Sequence, residues 1–176
     1  MPSPIAPNAP SVDHAPDVTL ILFHLAGSVA ALPMDSVERI VPMAELVHPL
    51  GLPAAIEGVL NLSGAAVPVL RLDRLLRLPE AQFGLYSMLV VLRGERGPRA
   101  AILVDRVTDV FSTPAGSLLP VSPGDSFNGV SQSAAMRDEF PVPILSPDRI
   151  LARKEREALA EFQQLAQSRL EAWEKP

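Results

Sequence analysis

Residues that could bind a metal ion or take part in catalysis are few in this sequence and widely separated. The three histidines, His14, His24 and His48, show no pair at the helical or hairpin spacing that metal ligation needs. Ser63, within "NLSGAA", has only a superficial likeness to the G-x-S-x-G turn that carries a catalytic serine. The sequence has no cysteine and neither of the common glycine-rich phosphate-binding motifs. It therefore predicts a protein that is not an enzyme and that holds no metal or cofactor.

Charge and hydropathy argue against two further classes of function. The chain has 15 basic and 20 acidic residues, a net charge of −5, whereas binding to nucleic-acid phosphates needs a basic face. The most apolar stretch, residues 18–34, is interrupted by His24, Gly27 and Pro33, and it is shorter than the roughly 20 residues of a membrane-spanning helix. No lysine or arginine precedes it, as a secretory signal would require. We expect no nucleic-acid partner, no membrane insertion and a cytoplasmic location.

The elements that must position any functional surface are short strands. Residues 1–17 contain five prolines and little apolar surface, which predicts a disordered tail. A first β-hairpin is predicted over residues 18–34, where an apolar run at 18–25 is followed by a short turn and a second apolar run at 29–34. The runs at 88–93 and 99–104 predict a second hairpin of the same kind.

A ten-residue phrase occurs twice: "VPVLRLDRLL" at 67–76 returns as "VPILSPDRIL" at 142–151. Over the longer alignment of 67–80 with 142–155, the repeated residues are Val67, Pro68, Leu70, Asp73, Arg74, Leu76 and Glu80. Chance similarity between two apolar strands is one explanation. The hairpin that precedes each copy favours another, two related β-subdomains at roughly 18–84 and 85–151. Each copy then predicts a strand followed by a short helix, with its aspartate near the positive end of the helix.

After the second copy the sequence predicts a long C-terminal helix over 148–175, most of it in an extension at 152–176. Ser146 and Pro147 suit the N-cap and first positions of a helix. One face of the predicted helix carries an apolar stripe made of Leu159, Phe162, Ala166, Leu170 and Trp173. Such a stripe packs on its own domain, or it serves self-association or an additional partner, and the sequence leaves both interpretations open.

The segment 54–76 contains two glycines, Gly58 and Gly64, on either side of the strand-like "VLNLS". Glycine at such places permits a bulge or a tight turn between strands. One interpretation is a corner of a barrel. The other is a surface loop, held by two strands and offered to a partner.

Three blocks of the sequence resemble the CheW-like domain of bacterial chemosensory systems. They are "ALPMDSVERIVPM", "IEGVLNLSGAAVPVLRLDRLL" and "AAILVDRVTDVFS", whose order and spacing agree with the family over about residues 18–151. The resemblance implies a mainly β fold of two similar, intertwined five-stranded β-barrels of SH3-like type. The predicted helical extension follows them.

The resemblance also implies a partner-binding surface. It is made of Val37, Arg39, Gly58, Asn61, Ser63, Gly64, Asp105 and Val107. Val37 and Gly58 are expected to lie exposed near a groove between the halves. Two positions depart from the family's pattern: Arg39 stands where a glutamate is often found, and Ser63 stands where the family has an arginine beside the receptor-binding groove. An arginine there would offer several donors and a bidentate grip on a carboxylate.

The function implied by the resemblance is that of a non-catalytic adaptor. Such proteins link the cytoplasmic tips of chemoreceptors to a CheA-type histidine kinase, whose regulatory domain has the same fold and pairs with them edge to edge. The departures at 39 and 63 leave an alternative open. In that alternative the chain is a CheW-like interaction module of a non-standard chemosensory, pilus or other signalling pathway, and its C-terminal helix recruits a different partner.

Overall fold

The computed structural model of the chain describes residues 16–122, 126–127, 129–151, 159, 163–164 and 166–168, with the backbone alone at Gln132. The strands are β1 Asp17–Leu25, β2 Ser28–Pro33, β3 Val37–Pro42, β4 Ile56–Leu62, β5 Ala65–Leu70, β6 Met88–Gly94, β7 Gly97–Val104, β8 Arg106–Pro114, β9 Leu119–Pro120, β10 Ser131–Arg137 and β11 Phe140–Leu145. The helices are α1 Leu72–Leu76 and α2 Pro147–Ile150, with single 3-10 turns at Met34–Ser36 and Ala115–Ser117.

The strands form two sheets, and each sheet contains strands from both halves of the sequence. One sheet has the order β8–β1–β2–β11–β10–β9, and the other has the order β3–β6–β7–β5–β4. The hairpins predicted at 18–34 and 88–104 are confirmed as β1–β2 and β6–β7. The predicted mainly β fold in two sheets is also confirmed, although one of the sheets has six strands rather than five.

The repeated phrase corresponds to a repeated structure. β5 leads into α1, and β11 leads into α2. β5 pairs in parallel with β7 at Val69 and Ala101, and β11 pairs in parallel with β2 at Ile144 and Ala31. Val69 and Ile144 hold the same place in the phrase. Each copy therefore lies beside the returning strand of the other half's hairpin.

Contacts across the ends of each sheet curl it toward a barrel. In the six-stranded sheet, Arg137 at the end of β10 donates from Nη2 to Oδ2 of Asp109 on β8, at 2.6 Å, and its guanidinium lies 5.3 Å from the ring centre of Phe111. In the five-stranded sheet, Val47 lies in the segment after β3 and exchanges two backbone hydrogen bonds with Val59 on β4, at 2.9 and 2.8 Å.

The largest apolar core joins both sheets and both helices, and β6 shows how the strands supply it. Val90 and Leu92 on β6 belong to this shared core, whereas Leu89 and Val91 belong to a smaller core of the five-stranded sheet. Because successive side chains of a strand point to opposite faces, a strand buried on both faces is a continuous apolar run. Each fully buried side chain of this size contributes roughly 1.5–3 kcal/mol to stability.

The long C-terminal helix is not shown by the structure. Within the described residues the α-helices with assigned bounds are the short α1 and α2, and Leu159, Gln163, Gln164 and residues 166–168 also have helical backbone. The helix predicted over 148–175 falls mostly outside the described residues, and as one continuous helix beyond Ile150 it stays a prediction.

Candidate partner-binding surface

The turn between β4 and β5 is an exposed, preorganised loop. Ser63 and Gly64 form a two-residue connection in which both φ angles are positive, 52° and 87°. This geometry matches the twist of the flanking strands. Asn61 fixes the turn, because its Oδ1 accepts a hydrogen bond from the backbone N–H of Gly64 at 2.9 Å. All three predicted residues of this turn are exposed and lie together.

Val37 is buried, so the expectation that it lies exposed is wrong. Its exposed fraction is 6% and it belongs to the shared core, whereas Arg39 is exposed. The reason is a shift of register in β3 between Val37 and Arg39. Simple alternation would put Val37 and Arg39 on one face, but the shift lets Val37 and Ile40 both pack toward the shared core. The carbonyl of Val37 accepts a hydrogen bond from Nη2 of Arg93 at 3.1 Å.

Gly58 is also buried, which corrects a second expectation of exposure. The segment after β3 covers it. A Cβ atom at Gly58 would lie 2.9 Å from Cβ of Leu46 and 3.0 Å from the carbonyl oxygen of Val47. The β4–β5 register shifts between Ile56 and Gly58, which agrees with the bulge that was one of the two arrangements a glycine here permits. Glycine is needed here because another part of the backbone passes close to it.

Asp105 directly precedes β8, Val107 is its second residue, and their contacts are internal. Oδ2 of Asp105 accepts a hydrogen bond from the backbone N–H of Ala26 at 2.9 Å, and the N–H of Asp105 donates to the carbonyl of His24 at 3.0 Å. Asp105 therefore stabilises the turn between β1 and β2. Val107 is half-buried and packs against the shared core.

Two adjoining depressions connect β3 with the start of β5. The first, beside β3, is lined by residues that include Met34, Asp35, Val37, Arg39 and Arg93. The second is lined by residues that include Asp35, Arg93, Arg96, Arg99, Ala65 and Gln163. Because Asp35 and Arg93 belong to both, the depressions form one continuous surface, called the Arg93 surface below. It connects two of the predicted residues, Val37 and Arg39, with the neighbourhood of the Ser63–Gly64 turn. Gly58, Asp105 and Val107 are not in its lining.

Residues of the C-terminal extension contact the same turn. The side chain of Gln167 accepts a hydrogen bond from the backbone N–H of Ala66 and donates one to the carbonyl of Gly64, both at 3.1 Å. Ala166 is buried in a small cluster with Val59 and Ala66.

Arg71 and Asp73 form a buried ion pair at the junction of β5 and α1. Nε and Nη2 of Arg71 donate to the two carboxylate oxygens of Asp73 at 2.9 and 2.7 Å, and Nη1 donates to Glu57 at 3.0 Å. The Arg71 guanidinium lies 4.7 Å from the ring centre of Phe83. Asp73 also accepts the backbone N–H of Ala81 at 2.9 Å. The pair therefore fastens the segment after α1 to β4 and β5.

The environment of this pair favours its charged form. Burial by itself raises the pKa of Asp73, but the hydrogen bond from Arg71, the N–H of Ala81 and the positive charge of Arg71 together lower it. The hydrogen bond to Asp73 in turn raises the pKa of Arg71. Sequence analysis did not identify the pair. Its signal is an arginine and an aspartate two positions apart in an apolar phrase, whereas the second copy has Ser146 in place of the arginine.

The described part of the chain contains no group of three or more histidine, aspartate or glutamate side chains placed to hold a metal ion. Three of its acidic residues form ion pairs instead: Glu57 and Asp73 with Arg71, and Glu80 with Arg74. None of the helices in these same ranges has the length and apolar character needed to cross a bilayer.

Comparison with known proteins places the fold in a family. The scaffolding protein TtCheW from Thermoanaerobacter tengcongensis superposes with a TM-score of 0.72 at 19% sequence identity, over 84% of this chain and 96% of that chain. At this identity the likeness concerns the fold. No curated protein sequence matches the chain significantly. The sequence model of the CheW-like domain matches residues 19–155, and the chain belongs to the CheW-like domain family.

Proposed function

We propose that this chain is a non-catalytic adaptor that couples chemoreceptors to a CheA-type histidine kinase in a chemosensory array, in the cytoplasm. The observation that carries the proposal is the family match over residues 19–155, on a fold shared with a protein described as a scaffold. An adaptor needs separate surfaces for its two partners, and the described residues offer two.

The Arg93 surface and the Ser63–Gly64 turn supply the proposed receptor contact. Met34, at the edge of this surface, is 48% exposed, and Val37 lies at its floor. Apolar side chains in a depression suit the docking of an amphipathic helix. Its border carries groups of both charges, Arg39 and Arg93 beside Asp35 and Glu38, which suit a helix that bears both acidic and basic side chains.

Three exposed apolar side chains supply the proposed contact with the kinase regulatory domain. Leu50, Leu85 and Tyr86 are 98%, 88% and 87% exposed, in the two loops that precede β4 and β6. The backbone N–H of Met43 donates to the carbonyl of Ser87 at 2.9 Å, which joins the start of the first loop to the end of the second. Leu85 and Tyr86 are neighbours in the chain, and adjoining exposed apolar side chains are the kind of patch that marks an interaction surface.

The test is a calorimetric titration of the full chain with two partners from the same cell. These are a chemoreceptor cytoplasmic tip and the regulatory domain of a CheA-type kinase. The proposal expects saturable binding of both, with Leu85→Asp weakening the kinase domain alone and Met34→Asp weakening the receptor tip alone. Failure of the unaltered chain to bind either partner would refute it.

Position 63 tests whether the receptor is of the ordinary kind. An arginine placed by Ser63→Arg adds a charge-assisted hydrogen bond worth roughly 1.5–3 kcal/mol where a carboxylate faces it. Tighter binding of an ordinary receptor tip by Ser63→Arg, with no change in Ser63→Gln, supports the proposed coupling. Weaker binding of the chain's own partner, with ordinary tips still unbound, supports a module with a changed partner.

A further inference from the structure

The carboxamide of Gln167 binds the backbone of β5 much as a neighbouring strand would. It accepts from the N–H of Ala66 and donates to the carbonyl of Gly64, the two backbone groups on either side of Ala65. Residues i − 1 and i + 1 of a strand offer this pair of groups to a parallel neighbour. The parallel pairing of β5 with β7 is made further along the strand, at Val69 and Leu70. Gln167 therefore completes the hydrogen bonding of β5 next to its turn.

Small side chains allow this close approach. Ala166 is 6% exposed and packs on Val59 and Ala66, which are 2% and 1% exposed. Ala166 and Gln167 both have helical backbone, so one helical segment presents a small apolar residue followed by a carboxamide. Both contacts are made to the β4–β5 hairpin that carries the Ser63–Gly64 turn.

Two further described residues of the extension lie against the domain. Leu159 is buried in the shared core at 7% exposure, which anchors the extension independently of Gln167. Gln163 lines the depression that also includes Ala65 and Arg93, so the extension reaches the end of the Arg93 surface. The extension therefore borders the proposed receptor contact at its end near Ala65.

We propose that the β4–β5 turn and the adjoining end of the Arg93 surface form an interaction site that the chain's own extension occupies in the unbound protein. The proposal rests on the proposed function, because the competing occupant is the receptor tip. A partner that fits this site is a helix with a carboxamide beside a small apolar residue, the arrangement that Ala166 and Gln167 present. Such a partner gains access only after the extension releases Gly64 and Ala66.

The expected gain in receptor affinity on release of the extension depends on the fraction of molecules in which the site is already uncovered. If only about one molecule in ten has the site uncovered, the apparent affinity is about tenfold weaker than that of the uncovered site. Gln167→Ala removes both hydrogen bonds, and Ala166→Arg forces the segment away from Val59 and Ala66. Both variants leave Leu159 in the core, so the fold itself is retained. Gln164→Ala is the matched control, since Gln164 is exposed in the same segment.

Two measurements on the full chain test the proposal. The first is hydrogen exchange at the Ala66 amide, followed by NMR. It should speed up in Gln167→Ala and Ala166→Arg and stay unchanged in Gln164→Ala. The second is calorimetric titration with the chemoreceptor cytoplasmic tip, for which the two releasing variants should bind about five to ten times more tightly than the unaltered chain.

The outcomes separate this proposal from the one on which it rests. Unchanged exchange at Ala66 in both releasing variants overturns it, because the extension then does not protect the turn. Faster exchange with unchanged receptor affinity also overturns it, while the adaptor function stands. If neither the unaltered chain nor any variant binds the receptor tip, both proposals fail together.

Discussion

Asp73 and Asp148 occupy the same position of the repeated phrase but have opposite surroundings. The Asp73 side chain is fully buried and receives two hydrogen bonds from Arg71, whereas the Asp148 side chain is 75% exposed and receives one from Arg99 at 2.9 Å. The difference arises because the first copy is covered by the segment that contains Ala81, which donates its N–H to Asp73. The two copies therefore form a matched pair for mutation.

Asp73→Asn should destabilise the fold by roughly 3–5 kcal/mol, since it leaves the buried Arg71 guanidinium without its principal countercharge. Asp148→Asn makes the same chemical change at the exposed copy and should cost less than about 1 kcal/mol. Urea unfolding followed by circular dichroism measures both. Equal losses of stability in the two variants would contradict a structural role for the buried pair.

The buried pair also predicts a dependence of stability on pH. The pKa of Asp73 is lower in the folded chain than its ordinary value. The folded state therefore binds the proton less readily than the unfolded state, and the pair's contribution is fully present above about pH 4. It is lost as the pH falls further, through the folded pKa. Urea midpoints between pH 7 and pH 2.5 should fall more steeply in the unaltered chain than in Asp73→Asn, and parallel profiles would refute this assignment.

Val37→Glu should destabilise the protein by about 2–4 kcal/mol, because it replaces a core side chain with a carboxylate that has no partner there. Arg39→Glu introduces the same residue two positions later on the exposed side of β3 and should change stability by no more than about 0.5 kcal/mol. Thermal unfolding distinguishes the two. A Val37→Glu variant as stable as Arg39→Glu would mean that β3 lacks the register shift.

Gly58→Ala should cost roughly 1–3 kcal/mol, since its Cβ would collide with Leu46 and with the backbone of Val47. Gly84 provides the control, because a Cβ there meets no atom within 4 Å and its φ is not positive. Gly84→Ala should change stability by no more than about 0.5 kcal/mol. Urea denaturation midpoints of the two variants measure the difference. A Gly58→Ala variant as stable as Gly84→Ala would show that the Leu46–His48 segment does not pack on β4.

The elements that the sequence predicted well are those determined by local patterns. The hairpins at 18–34 and 88–104 follow from apolar runs around short turns, and Ala26 and Gly27 give the first of them two positive φ angles. The strand-then-helix structure of each repeat follows from the same local cues. Both features can be predicted from the sequence because residues close together in the chain determine them.

The predictions that were wrong depended on contacts between distant residues. Val37 was expected outside because the resemblance put it on the partner-binding surface, whereas its register is set by pairing with Leu92 on a strand much later in the sequence. Gly58 was expected outside on the same ground, and no residue near it in the sequence indicates that Leu46 packs over it. Arg71 and Asp73 were missed for a related reason. Charged residues in a short helix resemble a solvated face until the segment that covers them is known.

The pairing of β1 with β8 has a consequence for synthesis of the protein. Leu20 pairs with Phe111, so one edge of the first strand finds its partner only after most of the chain has been made. At the roughly 5–20 residues per second of translation, that edge stays open for on the order of ten seconds on the ribosome. An apolar strand with an open edge can pair with other nascent chains. The yield of folded protein should therefore depend on chaperones that bind β1 during translation, and a faster ribosome would shorten the interval in which they are needed.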